Sequence, residues 1–217
     1  MESREKIMTA ALEVFAEKGK HGARMEEIAK SAGVNKAMLY YFFSSKENLF
    51  KEVLVKALHG VFNRIRRTLQ QSGLTGLGPA ESVKLVVEKH FEAFVQDVPG
   101  TKIVLEAFVH EPSEIKRALD QICTETTRDN PCQLEPQRMT EILKAGIVQK
   151  IFRPIDVSQL FVSILGMSLI YFSARPIAQL FLGLNAKDEK KFLEQRQASI
   201  TDLLLHGILE KEATKHA

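Results

Sequence analysis

The chain has 217 residues, 45% apolar and 26% charged, and its 30 Lys and Arg against 27 Asp and Glu leave a net charge of +3. That balance excludes a disordered, collagen-like or disulfide-stapled chain, and Cys123 and Cys132 are too few for a disulfide framework. A charge of +3 spread over the whole chain attracts no polyanion, so an anionic partner needs a local patch.

The first twenty residues are charged throughout and hold no apolar core, so no secretory leader is expected, and a cytoplasmic protein with reduced thiols is. Strand-like alternation is scarce, while 3.6-residue periodicity recurs along most of the chain. The expected fold is all-α. Breaks fall at 19–22, Gly33, 72–79, Pro99-Gly100, Pro112, 129–136, Arg153-Pro154 and Arg175-Pro176, with eight or nine helix-length segments between them.

The first segment starts at Ser3, a suitable N-cap, and carries Ile7, Ala10, Ala11, Val14 and Phe15 on one face until Gly19 stops it. The second opens with Glu26 and Glu27, presents Ile28, Ala29 and Ala32, and ends at Gly33. Asn35 then caps a third helix of about seven residues. Ser44 and Glu47 have capping-box spacing for a long fourth helix, apolar on one face from Leu49 to Ile65. Two short helices around a glycine turn make a helix-turn-helix.

On the third helix Leu39 and Phe43 stand four apart and point inward with Tyr40 at the edge. Lys36, Ala37 and Tyr41 point elsewhere. An exposed tyrosine among lysines suits a surface that meets phosphates, and a small residue near the helix start lets the backbone approach a groove. Between Lys18 and Lys46 six basic residues (Lys18, Lys20, Arg24, Lys30, Lys36, Lys46) face two acidic ones (Glu26, Glu27), so this window alone carries 6 − 2 = +4. The competing reading of charge alone is a solvated lysine surface around a structural hairpin.

The run from Gly33 to Phe43, then Ser45-Lys46-Glu47 and Leu49, resembles the recognition-helix signature of the TetR-like bacterial transcription regulators. Ala10-Ala11, Phe15, Gly19, Ile28-Ala29 and Ala32-Gly33 fit the pattern that precedes it, so the close resemblance covers about residues 5 to 54. A looser similarity is the Gly-x6-Arg-Pro-x-Asp stretch from Gly146 to Asp156. The resemblance implies a homodimer. Each subunit would have a DNA-binding head at 1–47, joined by a long helix to a ligand-binding and dimerisation bundle at 48–217. It implies DNA contacts from Arg24, Asn35, Lys36, Ala37, Met38, Tyr40, Tyr41 and Lys46, with Arg24 and Lys46 on phosphates. This chain departs from the pattern at Arg24, where Ser or Thr is usual, at Phe42, where His or Tyr is, and at Ala37, often Gly.

Catalytic motifs fail. His90-Phe91-Glu92 has deaminase spacing, but Glu135 stands where a cysteine would follow Cys132, and Pro112 disrupts the helix that His110-Glu111 would need. No P-loop, Gly-rich dinucleotide turn or nucleophile elbow is present, so neither an enzyme nor a cofactor nor a metal is expected. A redox-sensing role for Cys123 or Cys132 stays open.

In the C-terminal half, Leu85 to Val95 and Ile103 to Phe108 give two apolar faces. A largely apolar effector pocket is expected among His90, Phe91, Phe94, Phe108, Met139, Met167 and Phe172. Residues 157–172 are apolar almost all round and need cover on every side, but are short for a membrane span. With Ile200, Leu203, Leu204, Ile208 and Leu209 they are expected to build a four-helix interface between two copies. The function expected is a regulator, a repressor by preference, that binds a palindromic double-stranded operator and is released by a small molecule. The alternative is a helical ligand-binding or interaction module without DNA binding.

Overall fold

The computed structural model describes residues 2–72, 76–124, 135–185 and 187–210. Among these, the chain runs through α1 (Glu2–Gly22), α2 (Met25–Ala32), α3 (Lys36–Phe43), α4 (Lys46–Ser72), α5 (Pro79–Gln96) and α6 (Val98–His110). It continues through α7 (Pro112–Thr124), α8 (Glu135–Val148), α9 (Val157–Ser173), α10 (Arg175–Leu182) and α11 (Glu189–Ile208). Eleven helices exceed the eight or nine expected because prolines read as breaks also open helices. Pro112 is the first residue of α7, and Pro176 lies in the first turn of α10. A residue without an N–H loses no helical bond there.

Helix starts follow capping chemistry, with two corrections. Ser3 lies inside the first turn of α1, which begins at Glu2. The cap of α4 is Ser45, whose Oγ accepts from Asn48 N at 3.1 Å. Ser44 instead closes α3, with φ 63° and its N–H on Tyr40 O. Gly19 breaks α1 as expected, with φ 71° and ψ 169°, although helical turns resume to Gly22.

The chain packs as two compact units. The first comprises Met1–Asn63 and Asp97–Cys132, so α6 and α7 join the N-terminal helices. Its core holds Ile7, Ala11 and Phe15 of α1, Ile28 of α2, Leu39 of α3, and Leu49 and Phe50 of α4. Ile103, Ala107 and Ile115 complete it from α6 and α7. Phe15 and Phe50 meet edge to face at 5.2 Å, a geometry the ring quadrupoles favour. Where α1 kinks, Lys20 N donates to Glu106 Oε1 of α6 at 2.7 Å, and Lys20 Nζ pairs with Glu111 and lies over the Phe50 ring. The packing unit is thus larger than the 1–47 head, because one hydrophobic core runs on through α4 into α6 and α7.

The second unit comprises Arg64–Gln96 and Gln133–Ala217. Phe91 of α5 and Phe172 of α9 stack at 6.2 Å in its core, with Val87, Leu143, Ile164, Ile200 and Leu204 buried alongside. The Gly146–Asp156 stretch is a folded clasp. Phe152, 1% exposed, lies so close to Gly146 that a Cβ there would sit 2.2 Å from its ring. Arg153 N donates to Ile208 O and its Nε to Gly207 O at 2.6 Å, tying the segment to the end of α11. Asp156 then caps α9, accepting from Ser158 N at 2.8 Å.

The expectation that α9 is covered on every side is not met within one chain. Ile164, Ser168, Tyr171 and Phe172 are buried, but Val162 and Ile170 are 65% and 58% exposed. Helix α10 buries none of its residues and exposes Leu180 and Phe181 to about 80%. No single helix among the described residues is long and apolar enough to cross a membrane. Helices α9 and α10 reach that composition only as a pair bent by 80°.

Candidate nucleic-acid interface

The helix-turn-helix is built by local chemistry. Gly33 takes φ 65°, the left-handed conformation that closes α2, and its N–H returns to Ala29 O and Lys30 O. The side chain of Asn35 accepts from Met38 N at 2.9 Å and fixes the start of α3. The first-turn N–H groups of Lys36 and Ala37 have no carbonyl one turn earlier and face outward as donors.

Leu39 and Phe43 are buried, as their spacing requires, at 0% and 2% exposure. Tyr41 is 83% exposed and Tyr40 44%. Phe42, half-buried, sets its ring edge-on to Tyr41 at 5.2 Å and props the phenol outward. Asn35, Lys36 and Ala37 are exposed on the same element, and Met38 is half-buried. Arg24 precedes α2 in extended conformation, exposed and making no side-chain cap.

The lysines of this surface have intramolecular partners, which the sequence did not disclose. Lys36 Nζ pairs with the Glu26 carboxylate and lies 5.7 Å from the centre of the Tyr40 ring. Lys18 Nζ pairs with Glu27 Oε1 at 2.8 Å. Lys46 Nζ donates to the carbonyls of His21 and Ala23 at 3.3 and 3.1 Å, joining α4 to the connection between α1 and α2. The hydrogen bond from Lys36 holds the Glu26 carboxyl below its ordinary pKa, and the bond from Lys18 does the same for Glu27. Lys36 and Lys18 are raised in turn by the same bonds. Solvent screens such exposed pairs, so they are weak enough for a phosphate to displace the glutamate. No local rule relates residues ten apart, as Glu26 and Lys36 are, so this pairing is not legible before the fold is known.

The residues expected around an effector divide. His90 and Phe94 of α5 and Met139 of α8 line one narrow cavity in the second unit, with Phe161, Ile164 and Ser168 of α9. Its volume is about 20 Å³, room for a single water-sized group. Phe91 and Phe172 lie beside each other in the core instead, and Met167, half-buried, does not line the cavity. Phe108, on α6 of the first unit, is 49% exposed and is not among the residues lining this cavity. Helical periodicity puts it on the face of Ile103 and Val104, but burial on α6 runs from Gly100 to Ala107 and stops before Phe108 and Val109.

His90 Nδ1 lies 2.7 Å from Val86 O. That carbonyl can only accept, so Nδ1 carries the proton and Nε2 is the acceptor. Burial pushes the His90 pKa below its ordinary value, against the raising effect of the Val86 bond. Glu92 turns away to Lys89, so the His-x-Glu pair does not converge. Ser168 is 1% exposed, and its Oγ has no hydrogen-bond partner among the described residues. Leaving a buried hydroxyl unmatched costs about 1–3 kcal/mol. Sequence reasoning missed Ser168 as a site residue; its one signal was a hydroxyl in the middle of an apolar helix. Cys132 and the side chain of Cys123 lie outside the described residues.

Comparison with known proteins bears on both units. The family model described as "Bacterial regulatory proteins, tetR family" matches residues 7–53, and that described as "Tetracyclin repressor-like, C-terminal domain" matches residues 79–204. The chain is 27% identical over 207 residues to the transcriptional repressor NicS of Pseudomonas putida, covering 95% of this chain and 92% of NicS. It is 33% identical over 132 residues to the transcriptional activator FasR of Mycolicibacterium smegmatis, covering 59% of this chain and 58% of FasR. The ketosteroid transcriptional regulator KstR2 of Mycobacterium tuberculosis has the same fold, with a TM-score of 0.68 at 22% identity over 96% of this chain and 95% of that one.

Proposed function

The chain belongs to the TetR family of bacterial regulatory proteins, and from that premise we propose that it is a dimeric repressor released from a palindromic operator by a small, largely apolar effector. The observation that carries this reading is the outward face of α3. There Tyr41, 83% exposed, shares a short helix with Lys36, which lies over the Tyr40 ring, and with a capped helix start, on an element otherwise held by Leu39 and Phe43. Two such faces in one dimer fit successive major grooves, with half-sites about 34–36 Å apart or a multiple of it. Arg24, Asn35, Lys36, Ala37, Met38, Tyr40, Tyr41 and Lys46 are the proposed contacts, and the protein acts where its DNA is, in the cytoplasm.

Helix α4 begins at Lys46 and carries residues of both units, so it is the proposed lever. An effector that binds one arrangement of the chain more tightly shifts the population toward it, and operator DNA must weaken effector binding by the same factor. Repression is preferred because the relative matched over nearly its whole length is a repressor.

The test is binding of duplex promoter fragments at several salt concentrations. A fall of log K with log salt, with the slope flattened by about one unit in Lys46→Ala, supports a phosphate-bound Lys46. Since Lys46 also holds the carbonyls of His21 and Ala23, its melting temperature is measured alongside. Absence of duplex binding even at low salt favours a helical ligand-binding module in its place.

A further inference from the structure

The buried hydroxyls of unit two are treated differently. Thr201, 4% exposed, donates to Gln197 O one turn back at 3.0 Å. Ser163, on the exposed side of α9, does the same to Gln159 O at 2.9 Å. Ser168 stands five residues further along α9, is 1% exposed, and makes no such bond. Its hydroxyl lines the cavity beside His90 instead.

The cavity is lined by Ser168, whose O–H is a donor, and by His90, whose Nδ1 is committed to Val86 O and whose other ring nitrogen, Nε2, is therefore the one able to accept. Every other described lining residue is apolar, and none is charged. Burial keeps His90 below its ordinary pKa and hence neutral at pH 7.5, so no cation there matches a carboxylate or phosphate. A ketone or ester would satisfy the Ser168 O–H but give His90 Nε2 no donor. One alcohol hydroxyl satisfies both, because it accepts and donates at once. The volume of about 20 Å³ holds a group of that size. The apolar body of the molecule would displace Phe161 and Leu165, both half-buried on α9.

We propose that this cavity is the polar end of the effector site, and that it takes a neutral, mainly apolar alcohol whose hydroxyl accepts from Ser168 Oγ and donates to His90 Nε2. This rests on the reading of the second unit as effector-binding. Charged acids and hydrocarbons of the same size are the competitors the site rejects, the first for want of a counter-charge and the second because they leave the buried Ser168 hydroxyl unmatched.

The experiment titrates the full-length protein with 1-hexanol, n-hexane and hexanoate at pH 7.5 by ligand-observed NMR. Wild type is expected to bind 1-hexanol at least tenfold more tightly than hexanoate. Ser168→Ala is expected to weaken 1-hexanol about five- to tenfold and to leave n-hexane within about twofold, the loss of one neutral hydrogen bond. His90→Leu is expected to repeat that selectivity, with thermal melting verifying that both variants fold. Hexanoate binding as tightly as 1-hexanol overturns the proposal. So does Ser168→Ala changing 1-hexanol and n-hexane alike, which would make Ser168 only a packing residue. If none of the three binds wild type, the effector reading itself fails and the proposal falls with it; if n-hexane binds with no selectivity for the alcohol, only the proposal falls.

Discussion

Tyr41 puts a large aromatic group into water, and Phe42 is the residue that keeps it there. With 83% of Tyr41 exposed, its ring contributes little to the core. Tyr41→Ala should therefore shift the melting temperature by no more than about 2 °C, the range of a surface substitution. Duplex affinity should fall about tenfold, one hydrogen bond to a charged phosphate. A large stability loss in calorimetry would mean that the phenol is part of the fold. Glu26 poses the opposite case. Its carboxylate occupies Lys36, so a phosphate has to displace it before Lys36 can bind DNA. Glu26→Gln should raise affinity for arbitrary duplex several-fold at low salt, with the gain fading as screening grows. Fluorescence anisotropy with an unrelated fragment measures this, and an unchanged affinity would show that Lys36 keeps its glutamate in the complex.

At the scale of elements, the clasp at 146–156 makes the sharpest stability prediction. Phe152 occupies the space a Cβ at residue 146 would need and is itself 1% exposed, so it has nowhere to go. Gly146→Ala should destabilise the chain by about 1–3 kcal/mol or more, the cost of overpacking, read as a lower denaturation midpoint. Tolerance of alanine would mean that the clasp shifts freely. This clasp also marks what the sequence makes legible. Gly146, Arg153 and Asp156 stood out as a pattern, but their meaning came from Phe152 and from carbonyls of α11, more than fifty residues away. Local rules read well wherever the physics is local: Gly33 closes α2, Asn35 caps α3, and the spacing of Leu39 and Phe43 sets the buried face. They slip by one residue at Ser44 and Ser45, since both can cap and the positive φ of Ser44 decided. They fail for residues brought together across the fold, such as Lys20 bonded to Glu106, or Ser168 and His90 lining one cavity. Periodicity tells which face is apolar and says nothing of what covers it: Phe108 shares the apolar pattern of α6 and is still 49% exposed.

At the scale of the whole molecule, the second unit leaves several large apolar side chains in water. Val162 and Ile170 of α9, Ile177, Leu180 and Phe181 of α10 and Leu203 of α11 are each at least 58% exposed. Surface apolar groups scattered singly need no account, but several on adjoining helices of one unit do. The proposed homodimer supplies one, because a twofold axis brings the same face of a second copy against it. The sequence pointed to α9 and α11 for this interface and did not single out α10. Phe181→Asp tests that difference. If α10 contributes, burying the introduced carboxylate should weaken the dimer by about tenfold or more in sedimentation analysis, and the operator should then be bound only at higher protein concentration. If Phe181→Asp leaves the dimer intact while Val162→Asp breaks it, the interface is confined to α9 and α11, and the exposed end of α10 needs another explanation. If neither substitution changes sedimentation, this face does not join the copies, and the reading that two recognition helices reach one palindrome through it has to be given up.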